Sequence, residues 1–373
     1  MKIAVQISRI LVGSLFIFSG LVKAIDPLGL GYKMQEFFEV WASDGYLPGL
    51  MNYLHGQSLW FSIMMIVLEI VLGVALLIGW KKNMVLILLL LLTLFFTFLT
   101  SFVLFTGKIR ACGCFGDCIP LTPVQTFVKD IILSLLIIFL LIYKRHIQPL
   151  FKGVFGGIIV FISIAGSTFL QFYVLKHLPL KDCLPYKKGN NILELRKMPA
   201  DAVPDKYEYS FVYEKNGEKK EFATNNLPDS TWKFAERKQT LVTEGINNIA
   251  AINDFSLVDS AGIDVTEDIL GQPGGYYLFF LQNLNEGISR WSPAFSDLSQ
   301  KARQENHPIF IITSDREKVN AFFNIRNNYH LPVLTSDATA IKTAARANPT
   351  LFKMKGSVVQ EKYSWADIRK AIE

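Results

Sequence analysis

The chain has 373 residues, 51% of them hydrophobic, a net charge of +6 and a mean hydropathy of +0.30. This composition points to the membrane and excludes a wholly water-soluble globule. The positive charge gathers in short breaks between apolar runs, and no basic, aromatic-interleaved patch speaks for nucleic acid as a partner.

The first apolar run, 3–22, follows Lys2 as a signal peptide would, but Arg9 interrupts it. Ser19-Gly20-Leu21-Val22-Lys23 is a poor cleavage site, so the run reads as an uncleaved anchor. Four more runs, at 59–80, 84–106, 123–143 and 154–175, each approach the ~20 apolar residues that a span needs. Lys81 and Lys82 lie between the second and third, and Lys144, Arg145 and Lys152 between the fourth and fifth. Basic residues in short loops mark the cytoplasmic side. The N-terminus is therefore expected inside, and the 23–58 loop, the 107–122 loop and everything after 178 outside. In a bacterial-type inner membrane, the C-terminal region is then periplasmic.

Polar groups inside these runs are few. Arg9 and Glu69 are charges in spans, which are costly without partners. Either the two pair, or Arg9 reaches to the inner interface while Glu69 stays protonated. Glu69 is also a candidate to carry protons or to hold a quinone head group. Thr93, Thr97, Thr100 and Ser101 form a stripe, read mainly as helix packing. In the outer loop, Met34, Phe37, Phe38 and Trp41 recur at helical spacing, as in an amphipathic helix that caps the bundle or lies on the bilayer.

The chemistry concentrates at Cys112-Gly113-Cys114-Phe115-Gly116-Asp117-Cys118, between the third and fourth runs; Cys183 follows the fifth. Four cysteines on an oxidising face fit disulfides. A Cys112–Cys114 bond closes a small, strained ring and is easily reduced. Cys118 has Cys183 within plausible reach, although four cysteines allow three pairings. Exchange-active cysteines, a static staple and a zinc or iron–sulfur site all stay open. Metal ranks last, since the loop has no histidine and no pair of CxxC knuckles. Thr122-Pro123-Val124-Gln125 is a helix start whose positive end faces this loop and favours a thiolate.

Arg9-x3-Gly13-x2-Phe16-x2-Ser19-Gly20-x2-Lys23-x2-Asp26-Pro27 resembles the first span of the DoxX family, and Glu69-x3-Gly73 fits its second. CGCFGDC followed by Leu121-Thr122-Pro123-x-Gln125-Thr126 is similar to the MauE-like branch of that superfamily. The resemblance covers about residues 1–145 and singles out Lys23 beside Arg9 and Glu69. It implies a four-helix membrane bundle, distantly akin to the vitamin K epoxide reductase group. It also implies disulfide formation in periplasmic partners, with quinone as a possible cofactor. The CxC-x3-C loop departs from that group's CxxC at a helix start.

Beyond residue 178 the composition turns soluble. Tyr207–Tyr213 alternates, Asn216-Gly217 turns and a second strand follows near 218–224, a hairpin within a β-rich insert over 179–250. Residues 251–373 read as an α/β domain that resembles the redoxins. Strands are expected at 276–281, 309–313, 350–354 and 357–363, and helices at 290–305, at 315–329 and at the end. Asn348-Pro349-Thr350 matches the cis-proline loop of thioredoxin-like folds. The catalytic thiols of that fold would fall near Asn285-Glu286-Gly287-Ile288, yet no cysteine follows Cys183. The domain is thus expected to bind a partner rather than to exchange thiols.

The fold class expected is a membrane α-helical bundle over 1–178, with five spans, followed by an extracytoplasmic thioredoxin-like domain. The functional expectation is a thiol–disulfide relay that serves an extracytoplasmic protein partner. The alternative is a non-catalytic scaffold with structural disulfides. Two charges and a threonine stripe are too little for a transporter. Oligomeric state has no signal in the sequence.

Overall fold

A computed structural model describes every residue except 110–112, 114, 115, 120, 152, 153, 216, 244, 246, 285 and 286. The membrane half runs α1 (Lys2–Ala24), α2 (Pro27–Ser43), α3 (Pro48–Gly56), α4 (Ser58–Ile78), α5 (Lys82–Thr106), α6 (Pro123–Ile142) and α7 (Phe155–His177). Among the described residues α1, α4, α5, α6 and α7 are long and apolar enough to cross a membrane. The protein is a multi-pass membrane protein with the five spans read from the sequence.

Glycine sets the spacing of the central helix pair. A Cβ on Gly73 would stand 2.8 Å from the Gly13 carbonyl, so α1 and α4 touch backbone to backbone there. Small residues permit such approach between apolar helices. Gly20 lies against Glu69 and Ile70, and Arg9 against Leu76 and Leu77, so the two helices run antiparallel.

Of the two readings of the amphipathic outer segment, the cap is observed. Asp26 N-caps α2 by accepting from the Gly29 amide, with Pro27 in the first turn. Leu30, Met34, Phe37 and Phe38 are buried in the bundle core. Phe37 meets Phe102 of α5 at a centroid distance of 6.2 Å, and Trp41 meets Phe98 at 5.7 Å. The threonine stripe packs as expected. Thr93, Thr97 and Thr100 each donate to the carbonyl one turn earlier, and Ser101 to the Phe98 carbonyl.

After α7 come a short α8 (Ile192–Leu195) and a sheet of β1 (Lys206–Lys215), β2 (Glu218–Ala223) and β3 (Lys233–Thr243), antiparallel in the order β2-β1-β3. The hairpin is present, and β3 completes it. Glu236, Arg237 and Lys238 at the middle of β3 hide it from a search for apolar alternation.

The final region contains α9 (Thr266–Gly271), β4 (Gly275–Leu281), α10 (Ile288–Gln304), β5 (Ile309–Thr313) and α11 (Arg316–Asn320) with a π-helical turn at Ala321–Arg326. Then follow β6 (Val333–Thr335), α12 (Ala338–Ala344), β7 (Thr350–Lys355), β8 (Val358–Ser364) and a 3-10 turn at Ile368–Ala371. The sheet order is β6-β5-β4-β7-β8, with β4, β5 and β6 parallel and β7 and β8 antiparallel. Strand β4 is central. Tyr276, Leu278 and Phe280 feed one core, and Tyr277, Phe279 and Leu281 the other. Burial on both faces explains its unbroken apolar run. Tyr186 and Ile192, upstream of the small sheet, pack into the first of these cores.

The Asn348-Pro349 peptide is cis, as read from the sequence, and directly precedes β7. Sheet and cis-proline loop together are compatible with a thioredoxin-like domain. Three details differ from the expectation. The helix expected over 315–329 is α11 and the π turn, the closing helix is the short 3-10 turn, and β6 and α12 are additional.

Candidate functional site

Cys112 and Cys114 lie outside the described residues. Cys118 and Cys183 form a disulfide, with Cα atoms 5.0 Å apart, that ties the loop between α5 and α6 to the segment leaving α7. This is one of the pairings that the sequence left open. The loop rests on the α1–α2 junction. Gly116 faces Val22, and the Asp117 carboxylate lies beside Gly29. The start of α6 follows at once and carries the full capping box. Thr122 Oγ1 accepts from the Gln125 amide, and the Gln125 side chain accepts from the Thr122 amide.

Below this loop the bundle holds a buried ion pair. Lys23 Nζ donates to both Glu69 carboxylate oxygens at 2.7 Å, and to Ser19 Oγ at 3.0 Å. The two side chains are 1% and 4% exposed. The lysine also stands 4.7 Å from the Phe96 ring centroid. Of the two readings of Arg9, the pair with Glu69 is not formed. Arg9 donates to the Leu76, Leu77 and Gln148 carbonyls, closing the C-terminus of α4 at the opposite end of the bundle. Depth explains the correction. Glu69 stands level with Gly20, eleven residues along α1 from Arg9, or about 16 Å of helix rise. The other reading, an arginine that reaches the bundle end, is the one observed.

Beside the lysine, Asp130 pairs with Lys129 at 2.9 Å and accepts from Thr100 at 3.4 Å. Ser19, Lys23, Glu69, Thr93, Lys129 and Asp130 line a cavity of about 20 Å³. That is room for one water. The cavity itself is smaller than a quinone ring. Among the described residues no three His, Cys, Asp or Glu side chains converge as metal ligands.

Above the loop sits the cis-proline end of the soluble domain. Arg346, 6% exposed, donates from Nε to Asp26 and from Nη2 to Asp117, both at 2.8 Å. Its guanidinium lies 5.3 Å from the Tyr32 ring centroid. Tyr32 donates to Gln282, and Lys342 to Gln35 of α2. The loop is fixed from behind. Asn348 accepts from the Gln282 amide and donates to the Asn283 carbonyl, while Thr350 bonds Ala347. Residues 285 and 286 of the position expected for the fold's thiols lie outside the described residues. Gly287 and Ile288 open α10.

A second contact joins Lys362 of β8 to Asp182. Burial draws the Lys362 ammonium below a free lysine's range, against the pull of Asp182. Burial likewise lifts the Asp26 carboxyl, against the pull of Arg346. At the end of α7, His177 Nδ1 meets Asp367 at 2.8 Å.

The structure thus brings Lys23 to Glu69 and Cys118 to Cys183, while Arg346, just upstream of Asn348-Pro349-Thr350, meets Asp117 of the cysteine-bearing loop. Arg9 stands apart. Sequence reasoning missed Asp26, Asp117, Asp182, Arg346 and Lys362 as interface residues. One signal was there to read: an aspartate precedes both Cys118 and Cys183.

Residues 1–143 match the family model described as methylamine utilisation protein MauE. Residues 207–244, the three-stranded sheet, match a domain of unknown function, DUF8463. Over 192 residues the chain is 29% identical to Protein TlpB of Flavobacterium psychrophilum, an alignment that takes in 49% of this chain and 45% of that protein. The chain therefore spans about half the length of the curated relative it matches. No solved structure matches.

Proposed function

We propose that this chain is a membrane thiol–disulfide oxidoreductase of the bacterial inner membrane, acting through Cys112 and Cys114 on a periplasmic protein. The single observation that carries the reading is the placement of the cysteine loop. Its described part, 116–119, lies between the mouth of the bundle and the Arg346 end of the soluble domain, where the Cys118–Cys183 bond anchors it. The basic end of the bundle, with Lys81, Lys82, Lys144 and Arg145, is read as cytoplasmic. The N-terminus then lies inside and the soluble domain outside.

A thiolate of the partner attacks one sulfur of a Cys112–Cys114 disulfide. A mixed disulfide forms, and the other sulfur leaves as a thiolate. The partner's second thiol resolves the mixed disulfide, so the partner leaves oxidised and the chain keeps two thiols. The positive end of α6, whose N-cap Thr122 is four residues past Cys118, would favour a thiolate in this loop. The soluble domain has no thiol of its own and serves to position the loop and the partner.

Single Cys112→Ser and Cys114→Ser variants test this. One of them should accumulate a mixed disulfide with a periplasmic protein, seen as a reductant-sensitive band and identified by mass. The absence of such an adduct from both variants would contradict the proposal. The scaffold reading would then hold, favoured as it is by a soluble domain without thiols.

A further inference from the structure

Each half of the Cys118–Cys183 disulfide follows an aspartate, and each aspartate is held by a cation of the soluble domain. Arg346 grips Asp117 and Lys362 grips Asp182. The two cations are 6% and 8% exposed, whereas the cysteines themselves are only half-buried. Arg346 stands just before the cis-proline, and Lys362 pairs across the sheet with Phe352 of β7. The loop before β7 and strand β8 of one domain thus grip two segments that are 65 residues apart in sequence and joined at the disulfide.

We propose that Arg346 and Lys362 form a clamp through which the soluble domain guards the Cys118–Cys183 disulfide, so that docking of the domain and oxidation of this bond stabilise each other. This goes beyond the proposed activity and holds whether or not Cys112 and Cys114 exchange thiols. While the bond is intact, Asp117 and Asp182 are held together and present a preformed pair of acids to the two cations. Once it is cut, the two segments move independently, and the second ion pair loses the effective concentration that the first supplied. Linkage makes the effect reciprocal. Whatever factor the bond adds to docking, docking adds to resistance against reduction. The domain's cis-proline end thereby acts on its own chain. Tyr32, Gln35 and Asp26 already occupy that face, so an external peptide must displace them to bind there.

The test uses the full chain in membranes, in a Cys112→Ser/Cys114→Ser background, equilibrated with graded dithiothreitol. The reductant delivers two electrons and two protons to the Cys118–Cys183 bond and leaves as a cyclic disulfide. Alkylation with a mass tag reads the reduced fraction. Arg346→Gln and Lys362→Gln should each raise the equilibrium constant for reduction about fivefold or more, the low end of ordinary coupling between sites. Combining them should raise it further. The exchanged pair Lys362→Asp with Asp182→Lys should return toward the parent value, which a merely misfolded domain would not do. Equal reduction in the parent and both glutamine variants would overturn the clamp. So would an exchanged pair no better protected than Lys362→Asp alone.

Discussion

The Lys23–Glu69 pair and the Arg346–Asp26–Asp117 group both hold a buried cation between acids and other polar groups, yet their surroundings differ. The first joins α1 to α4 inside an apolar bundle, with both side chains at most 4% exposed. The second joins two halves of the molecule, and its acids are 18% and 40% exposed. An orphaned charge in the bundle is cut off from bulk water, whereas an orphaned Asp117 is partly solvated from the start. The same chemistry should therefore act as a permanent brace in one place and as a releasable contact in the other.

Loss of Lys23 alone is the severest test of that contrast. Lys23→Ala should cost about 3–5 kcal/mol of bundle stability, the usual range when one member of a buried pair is removed. Lys23→Met with Glu69→Leu should recover most of it, because replacing the whole pair by apolar groups is close to neutral. A double-mutant cycle in detergent unfolding checks both, and simple additivity would remove the brace. Gly73→Ala probes the same helix pair without any charge. Its Cβ would meet backbone atoms of Gly13 and Ile17 at 2.8–3.0 Å, which neither helix can give way to locally. Overpacking of this kind costs about 1–3 kcal/mol, read in the same unfolding assay.

Arg346→Ala should leave the bundle intact and cost about 2 kcal/mol of docking, within the range for hydrogen bonds to charged groups and lowered by the exposure of Asp117. Limited proteolysis of membranes should then cut between α7 and the soluble domain faster, with α1–α6 unchanged. The smallest effect belongs to Asp367. Burial opposes its charge, but hydrogen bonds from Lys370, His177 and Ser364 hold its carboxyl below the usual range. The contribution is therefore complete above the unfolded carboxyl value of about 4 and is lost as pH falls through the lower folded value. Asp367→Asn should lower domain stability slightly at neutral pH and flatten its acid limb, the difference from the parent vanishing below the folded value.

The parts legible in the sequence share a physical reason. Span number, the capping box at Thr122 and the cis-proline loop each depend on a few adjacent residues. Several residues of the string on α1 have structural partners. Arg9 closes α4, Gly13 meets Gly73, Ser19 and Lys23 hold Glu69, and Asp26 caps α2 and binds Arg346. The partners on facing elements were harder to read. Periodicity gives the face of a helix but not the depth at which a neighbour stands, so the partner of Glu69 stayed open in the sequence. Strand β6 has three residues, too few for an alternation signal, and β3 carries charges on its exposed positions. Arg346 looked like any solvated arginine, because nothing local shows that a second half of the chain will cover it.

The central claim is that the four cysteines divide into an exchanging pair and a guarded pair. Site-resolved alkylation of the unmodified chain in membranes, across a titration with mild dithiol reductant, tests it most directly. The account predicts that Cys112 and Cys114 open at low reductant and close again in air, while Cys118 and Cys183 remain protected. Simultaneous opening of all four, or protection of all four up to denaturing conditions, would contradict it.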